Sequence, residues 1–469
     1  MQFNSWEYFA FLLVVLTGYY CLERQWQNRM LLVASYFFYS CWDWRFSSLL
    51  VISTIIDYTL SLAIHSAEDP KRRKHLLFIS IAVNFGMLAY FKYFNFFIDS
   101  AAVILREIGF TSTLPTLHII LPAGISFYTF QTMNYVVDVY RKHLRPTRDF
   151  TTYALFVSYF PHLVAGPIMR AERLLPQLLN KRVVTNEHIN TGALLILLGL
   201  FKKVCIADSV AIDAVHIFPA PESFSTMQLW RGVYCFALQI YCDFSGYSDI
   251  ARGTSRLFGI ELMENFNQPY LSHSVTDFWR RWHISLSTWL RDYLYIPLGG
   301  NRRGTVRTYF NLMITMLFGG LWHGANWTFV IWGFLHGLYL SVHRCYRDYY
   351  PRDPDTRDHV ALSILKMVFT FQLVSLTWVF FRAGDLRSAL VYIHGLLFWR
   401  GSVDIAAMVK PIFFAVLLLI LDLPQYWTRN HTVFLRWPWP VRGVLYTAMF
   451  FMLIVMENHG EVPFIYFQF

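Results

Sequence analysis

From Phe318 to Leu340 the chain runs for 23 residues without one Asp, Glu, Lys or Arg. As a helix rising 1.5 Å per residue, such a run is long enough to cross a hydrocarbon layer of about 30 Å. Yet it carries two histidines, His323 and His336. Ionisable groups are costly at membrane depth and normally face a bundle interior, a cavity or a partner. A chain built this way cannot present that stretch to water, and it must find partners for both imidazoles.

Apolar runs of this kind recur along the sequence. They fall near 8–22, 30–42, 48–65, 76–98, 117–136, 190–206, 226–242, 308–322, 325–343, 361–381, 410–424 and 441–457. Charged residues make up only 15% of the chain, against about 25% in soluble domains. The expected fold is an all-α polytopic membrane protein in one domain, 1–469, with roughly 11–13 transmembrane or re-entrant helices. The first apolar segment lacks a basic leader and a small-residue cleavage site, so it is expected to stay as a membrane helix. Basic clusters at Lys71–Lys74 and at Arg141, Lys142, Arg145 and Arg148 read as cytoplasmic loops and place the N-terminus outside. The net charge of +10 is therefore assigned to loops, not to nucleic-acid binding. Six cysteines with no CxxC spacing read as small buried hydrophobes, with neither a disulfide framework nor a zinc site. Pro161, Gly166 and Pro167 interrupt the apolar run 150–176. That segment is expected to be broken and shielded from lipid, because unpaired backbone is tolerated at depth only inside protein or against water.

Between these runs, residues 277–307 hold Asp277, Arg280, Arg281, Arg291, Asp292, Arg302, Arg303 and Arg307. A lipid-facing helix would bear about 2.5–3.5 kcal/mol for each central charge, so this segment must face water, an interface or internal partners. Asp277 and Arg281 have the i, i+4 spacing of a helical pair. Trp279, Trp282 and Trp289 read as interfacial bulk. Two readings stand side by side: an anchoring helix with no chemistry, or a basic vestibule for a phosphate-bearing donor such as a coenzyme A thioester. His283 lies within it. Histidine suits acyl transfer to a hydroxyl, because it takes and returns a proton near neutral pH. His323, set among Gly320, Gly324 and Ala325, reads either as such a group or as a histidine tied between helices; His336 reads first as packing. Asp243 and Asp249 read as helix-end or ion-pairing groups before site-supporting ones. No metalloprotease HExxH, no GxSxG elbow and no P-loop occurs.

The segments YCDFSGYSDIARG, ENFNQPYLSHSVTDFWRRWHISLSTWLRDYLYIPLGGNRRG and GGLWHGANWTFVIWGFLHG resemble the membrane-bound O-acyltransferase family, in its bacterial alginate O-acetyltransferase branch. LPAGISFYTFQTMNYVVDVYR and FPHLVAGPIMR add to the resemblance, which weakens after about residue 345. The resemblance implies helices around a funnel or tunnel, with the catalytic core within about 120–345. It implies His323 as catalytic and His283 as its partner across the tunnel. It further implies an inner-membrane enzyme that passes acetyl groups from a cytoplasmic donor, acetyl-CoA, to an exported polysaccharide such as alginate or cellulose, without a metal. The implied partners are a periplasmic esterase-like (SGNH-type) acetyltransferase, the polysaccharide synthesis and export machinery, and membrane lipids. From position and chemistry, Arg280, Arg281 and Trp282 are expected to hold the donor and Asn326 to hydrogen-bond within the site. Peptidoglycan or teichoic acid remains open as acceptor. A donor transporter without bond-making chemistry is the competing class, although two symmetry-related halves are not visible in the sequence.

Overall fold

A computed structural model of the chain describes residues 1–110, 117, 119–164, 166–351, 358–456 and 464–465. All regular structure among these residues is helical. Among the described residues, five helical stretches are long and apolar enough to cross a membrane: Arg24–Ser66, Pro70–Glu107, Val360–Arg382, Ile405–Thr428 and Trp439–Met456. The chain divides into two compact units, one of residues 1–192 with 251–263, the other of 193–250 with 264–469.

The first unit contains α1 (Trp6–Cys21), α2 (Arg24–Ser66), α3 (Pro70–Leu88), α4 (Phe94–Glu107), α5 (Ile125–Tyr140), α6 (Phe150–Ser158), α7 (Phe160–Leu163) and α8 (Ala171–Leu179). The apolar runs 30–42 and 48–65 belong to α2, whose backbone leaves helical geometry at Asp43, where the carboxylate takes the Arg45 guanidinium. The interrupted run 150–176 is broken into α6, α7 and α8, and the residues around the breaks are buried. The polar backbone freed there is taken up by side chains. Ser35 Oγ accepts from Phe160 N at 3.0 Å, and Gln131 on α5 donates to Phe156 O at 2.6 Å. Gln131 Oε1 accepts from Met169 N at 3.2 Å, and Asn134 donates to Met169 O at 3.1 Å. A broken segment can stay buried only with such partners.

The second unit contains most of α9 (Asn186–Leu200), α10 (Ser209–Ile217) and α11 (Thr226–Leu257), then α12 (Val275–Arg281), α13 (Ile284–Leu290), α14 (Thr305–His323), α15 (Trp327–Tyr349), α16 (Val360–Arg382), α17 (Leu386–Leu397), α18 (Val409–Thr428) and α19 (Trp439–Met456). Two glycine contacts decide its local geometry. A Cβ at Gly199 would lie 2.5 Å from Gly246 O, and one at Gly246 would lie 2.7 Å from Gly199 O, so α9 and α11 meet backbone to backbone. The π-helical stretch Phe201–Asp208 then carries two buried lysines onto α11. Lys202 Nζ pairs with Asp249 at 2.9 Å, and Lys203 Nζ pairs with Asp208 at 2.7 Å and Asp243 at 3.0 Å. Asp243 and Asp249 are thus ion-pairing groups, but within α11 and not at its end.

Of the six cysteines, all unbridged, Cys205, Cys235 and Cys242 are buried as expected, whereas Cys21 and Cys41 are exposed and Cys345 is half-buried. The tryptophans of the charged segment also depart from expectation. Trp282 and Trp289 are buried, so they pack the unit and do not anchor an interfacial helix. The same aromatic spacing serves either purpose in a sequence.

Removing one partner from a buried ion pair strands the other charge, at a cost of about 3–5 kcal/mol. Lys202→Met is therefore expected to lower the thermal unfolding midpoint of the purified protein markedly. Adding Asp249→Leu should restore most of the loss. An unchanged midpoint in the single variant would contradict the pairing.

Candidate functional site

His323 is the last residue of α14 and His283 the residue immediately before α13; both belong to the second unit. Their positions follow from two local devices. At Gly320 and Gly333, α14 and α15 approach so closely that a Cβ at Gly320 would collide with Phe329 O and one at Gly333 with Met316 O. That contact turns Trp332 of α15 onto the end of α14. At His283 the backbone enters the left-handed region, with φ 42° and ψ 54°. This conformation costs a non-glycine residue about 1–3 kcal/mol and tends to occur at functional positions. It ends α12 and starts α13, so the charged segment is two seven-residue helices bent around one histidine.

The two rings face a common set of aromatics. Their centroids are 6.5 Å apart. Trp322 lies 5.6 Å from the His283 ring and 5.0 Å from the His323 ring. Phe244 meets His283 edge-on at 4.7 Å, and Trp332 and Phe381 meet His323 at 5.0 and 5.1 Å. His283 is fully buried and His323 is 3% exposed. Burial pushes the His283 imidazole well below its usual range, to about 3, so the ring is neutral near pH 7. A neutral imidazole can accept a proton. On the Nδ1 side of His283 stand Asn265 Oδ1 at 3.3 Å and Ser285 Oγ at 3.4 Å.

His336 is occupied differently. Trp279 Nε1 donates to its Nδ1 at 3.2 Å. Its Nε2 therefore carries the proton and donates to Thr377 Oγ1 at 3.0 Å, and Thr377 donates on to Val374 O at 2.7 Å. Both nitrogens are consumed in tying α12, α15 and α16 together, which is the packing role read from the sequence.

The remaining candidates separate in space. Arg280 and Arg281 line a cleft of about 300 Å³ with His273, Thr276, His343, Arg347 and Tyr426. Arg281 and Tyr426 also border a second cleft of about 490 Å³ with Asn267, Trp427 and Arg429. Arg281 makes the expected i, i+4 pair with Asp277 at 2.9 Å and lies 5.1 Å over the Tyr426 ring. Arg280, Arg347 and Arg429 have no carboxylate partner among the described residues. Trp282 does not reach these clefts. It is buried within 5.0 Å of Phe266 and Trp378, and 5.4 Å from Phe278, as part of the wall behind the histidines. Asn326 caps α15: its Oδ1 accepts from Thr328 N at 3.0 Å, and its Nδ2 donates to Gly384 O at 2.8 Å. Among the described residues no three His, Cys, Asp or Glu side chains group as a metal site would require.

Residues 36–383 match the family model for the membrane-bound O-acyltransferases. The chain belongs to that family. It is 46% identical over 383 residues to the probable alginate O-acetylase AlgI of Pseudomonas aeruginosa, covering 81% of this chain and 72% of that protein. It is 39% identical over 425 residues to the peptidoglycan O-acetyltransferase of Helicobacter pylori, covering 84% and 79%. Similarity to the teichoic acid D-alanyltransferase of Bacillus subtilis is lower, 26% over 264 residues, covering 54% and 66%. The protein is thus a multi-pass membrane-bound acyltransferase, as its sequence segments implied. Sequence reasoning passed over Asn265, Ser285, His343, Arg347, Tyr426 and the Lys202–Lys203 pair. Only the last had a local signal, two adjacent lysines at the end of an apolar run.

Proposed function

We propose that this acyltransferase O-acetylates an exported polysaccharide from the cytoplasmic membrane, with His323 and His283 as its reacting pair. The observation that carries this reading is the pair of buried imidazoles 6.5 Å apart inside one aromatic enclosure. One oxygen, about 2.8 Å from a nitrogen of each ring, spans such a separation. A hydroxyl held there loses its proton to one histidine as it attacks the acyl carbon, and the leaving thiolate takes a proton back. The aromatic walls limit water, which would otherwise compete as acceptor. His323 is the general base, or the group that orients donor and acceptor, and His283 its partner. Asn326 secures the turn that follows His323.

The donor is acetyl-CoA. Supporting this are the two clefts that share Arg281 and Tyr426, whose arginines come from three helices or their ends: Arg280 and Arg281 on α12 and Arg347 on α15 at the first, Arg281 and Arg429, after α18, at the second. Guanidinium groups suit phosphate oxygens in geometry and charge. The acceptor is alginate or a related exopolysaccharide, in line with the 46% identity to proteins named for alginate. Peptidoglycan is the second reading, favoured by the 39% relative. Delivery to the polymer would use a periplasmic esterase-like partner and the polysaccharide synthesis and export machinery.

His323→Ala, in cells with unchanged protein level, is expected to abolish polymer acetylation, since general acid–base catalysis supplies about 10²–10⁴-fold. Wild-type acetyl content would sink the assignment. Arg347→Ala, by contrast, should raise the apparent KM for acetyl-CoA several-fold with kcat nearly unchanged, the pattern of lost ground-state binding. A selective fall in kcat would remove Arg347 from the donor cleft.

A further inference from the structure

The hydrogen bonds around Asn265 fix which nitrogen of His283 carries the proton and which the lone pair. Asn265 is buried in the segment that follows α11, and Ile284 N donates to its backbone carbonyl at 2.9 Å. Its side-chain Oδ1 accepts from Ser285 N at 3.1 Å. A backbone amide only donates, so this atom is the amide oxygen and not the nitrogen. The same oxygen accepts from Ser285 Oγ at 2.9 Å. Ser285 has one hydroxyl proton and gives it to Asn265, so it presents a lone pair to any other neighbour. His283 Nδ1 lies 3.3 Å from the Asn265 oxygen and 3.4 Å from Ser285 Oγ. Both neighbours offer only lone pairs. An unprotonated Nδ1 would face two of them, so Nδ1 carries the proton.

We infer that Asn265 is a positioning residue that holds His283 as the Nδ1–H tautomer, leaving the Nε2 lone pair as the proton acceptor in acyl transfer. This rests on the proposed pairing of His283 with His323. It assigns the accepting atom and gives the left-handed backbone at His283 a purpose: that conformation brings Nδ1 back onto Asn265 and Ser285. During transfer Nε2 takes the proton of the attacking hydroxyl as its oxygen bonds the acyl carbon and the carbon–sulfur bond breaks; His323 is then the group that orients donor and acceptor. The resulting imidazolium keeps Nδ1–H on the Asn265 oxygen, then returns the Nε2 proton to the leaving group, so no proton is gained or lost overall.

The test uses the full-length purified protein. Histidine ¹⁵N spectra, with the His283 signals assigned by their loss in His283→Gln, should show a protonated Nδ1 and an unprotonated Nε2. In Asn265→Ala the protonated nitrogen should change or the two forms mix. The opposite tautomer in wild type, or an unaltered tautomer in Asn265→Ala, overturns the inference, and neither result depends on the donor. Kinetics give a second arm. Asn265→Ala should slow acyl transfer by about 10²-fold, and Asn265→Ala with His283→Ala should be no slower than His283→Ala alone. Additive losses would mean that Asn265 does not act through His283. If Asn265→Ala fails to fold, Asn265→Asp decides the matter. It retains an acceptor and adds a negative charge that favours imidazolium, so the acid limb of its pH–rate profile should move up by about 1–3 pH units. An unmoved limb overturns the inference. Full activity in His283→Ala would instead overturn the proposed pairing itself.

Discussion

The contact of α14 with α15 through Gly320 and Gly333 sets the rest of the candidate site. Because neither residue carries a Cβ, Gly320 meets Phe329 O and Gly333 meets Met316 O directly. That approach puts Trp332 against both His323, at 5.0 Å, and His336, at 4.6 Å. His336 is then locked by Trp279 and Thr377, which in turn places α12 beside α15. The bend at the end of α12 delivers His283 to the other side of Trp322. A side chain added at either glycine would separate the helices and act on both histidines at once.

A second constraint runs through each unit: polar groups withdrawn from water are costly unless satisfied. Gln131 and Asn134 serve the broken backbone around α6 to α8, Asp249 and Asp243 serve the adjacent lysines, and Asn265 serves the turn at His283. These partners do different work. The lysine–aspartate pairs are tight ion pairs between buried helices and add stability only in company. The Asn265 oxygen sits beside a group that must stay neutral and able to accept a proton.

Much of this was legible in the sequence, for reasons tied to particular residues. The missing charge in 318–340 made its histidines conspicuous, and the prolines and glycine of 150–176 announced a break. Asp277 and Arg281 declared their pairing by spacing alone. The family wording around His283 and His323 separated them from His336, and the structure gives His336 both nitrogens to neighbouring helices. Other features depend on tertiary contacts that no spacing reveals. Trp282 and Trp289 look alike on an interfacial helix and in a packed core, and burial decides between them. Arg347 and Tyr426 lie far along the chain from Arg280 and meet it only when α15 and α18 flank α12. Asn265 acquires meaning only through the left-handed turn at His283, which a β-branched or glycine-free stretch does not predict.

The central claim is that His283 and His323 share one reacting group. It is tested most directly by an experimental density map of the full-length protein with a non-transferable thioether analogue of acetyl-CoA. The acyl-mimicking carbon is expected within contact of both imidazoles, in the enclosure of Phe244, Trp322, Trp332 and Phe381. An analogue bound with that carbon away from both rings would contradict it.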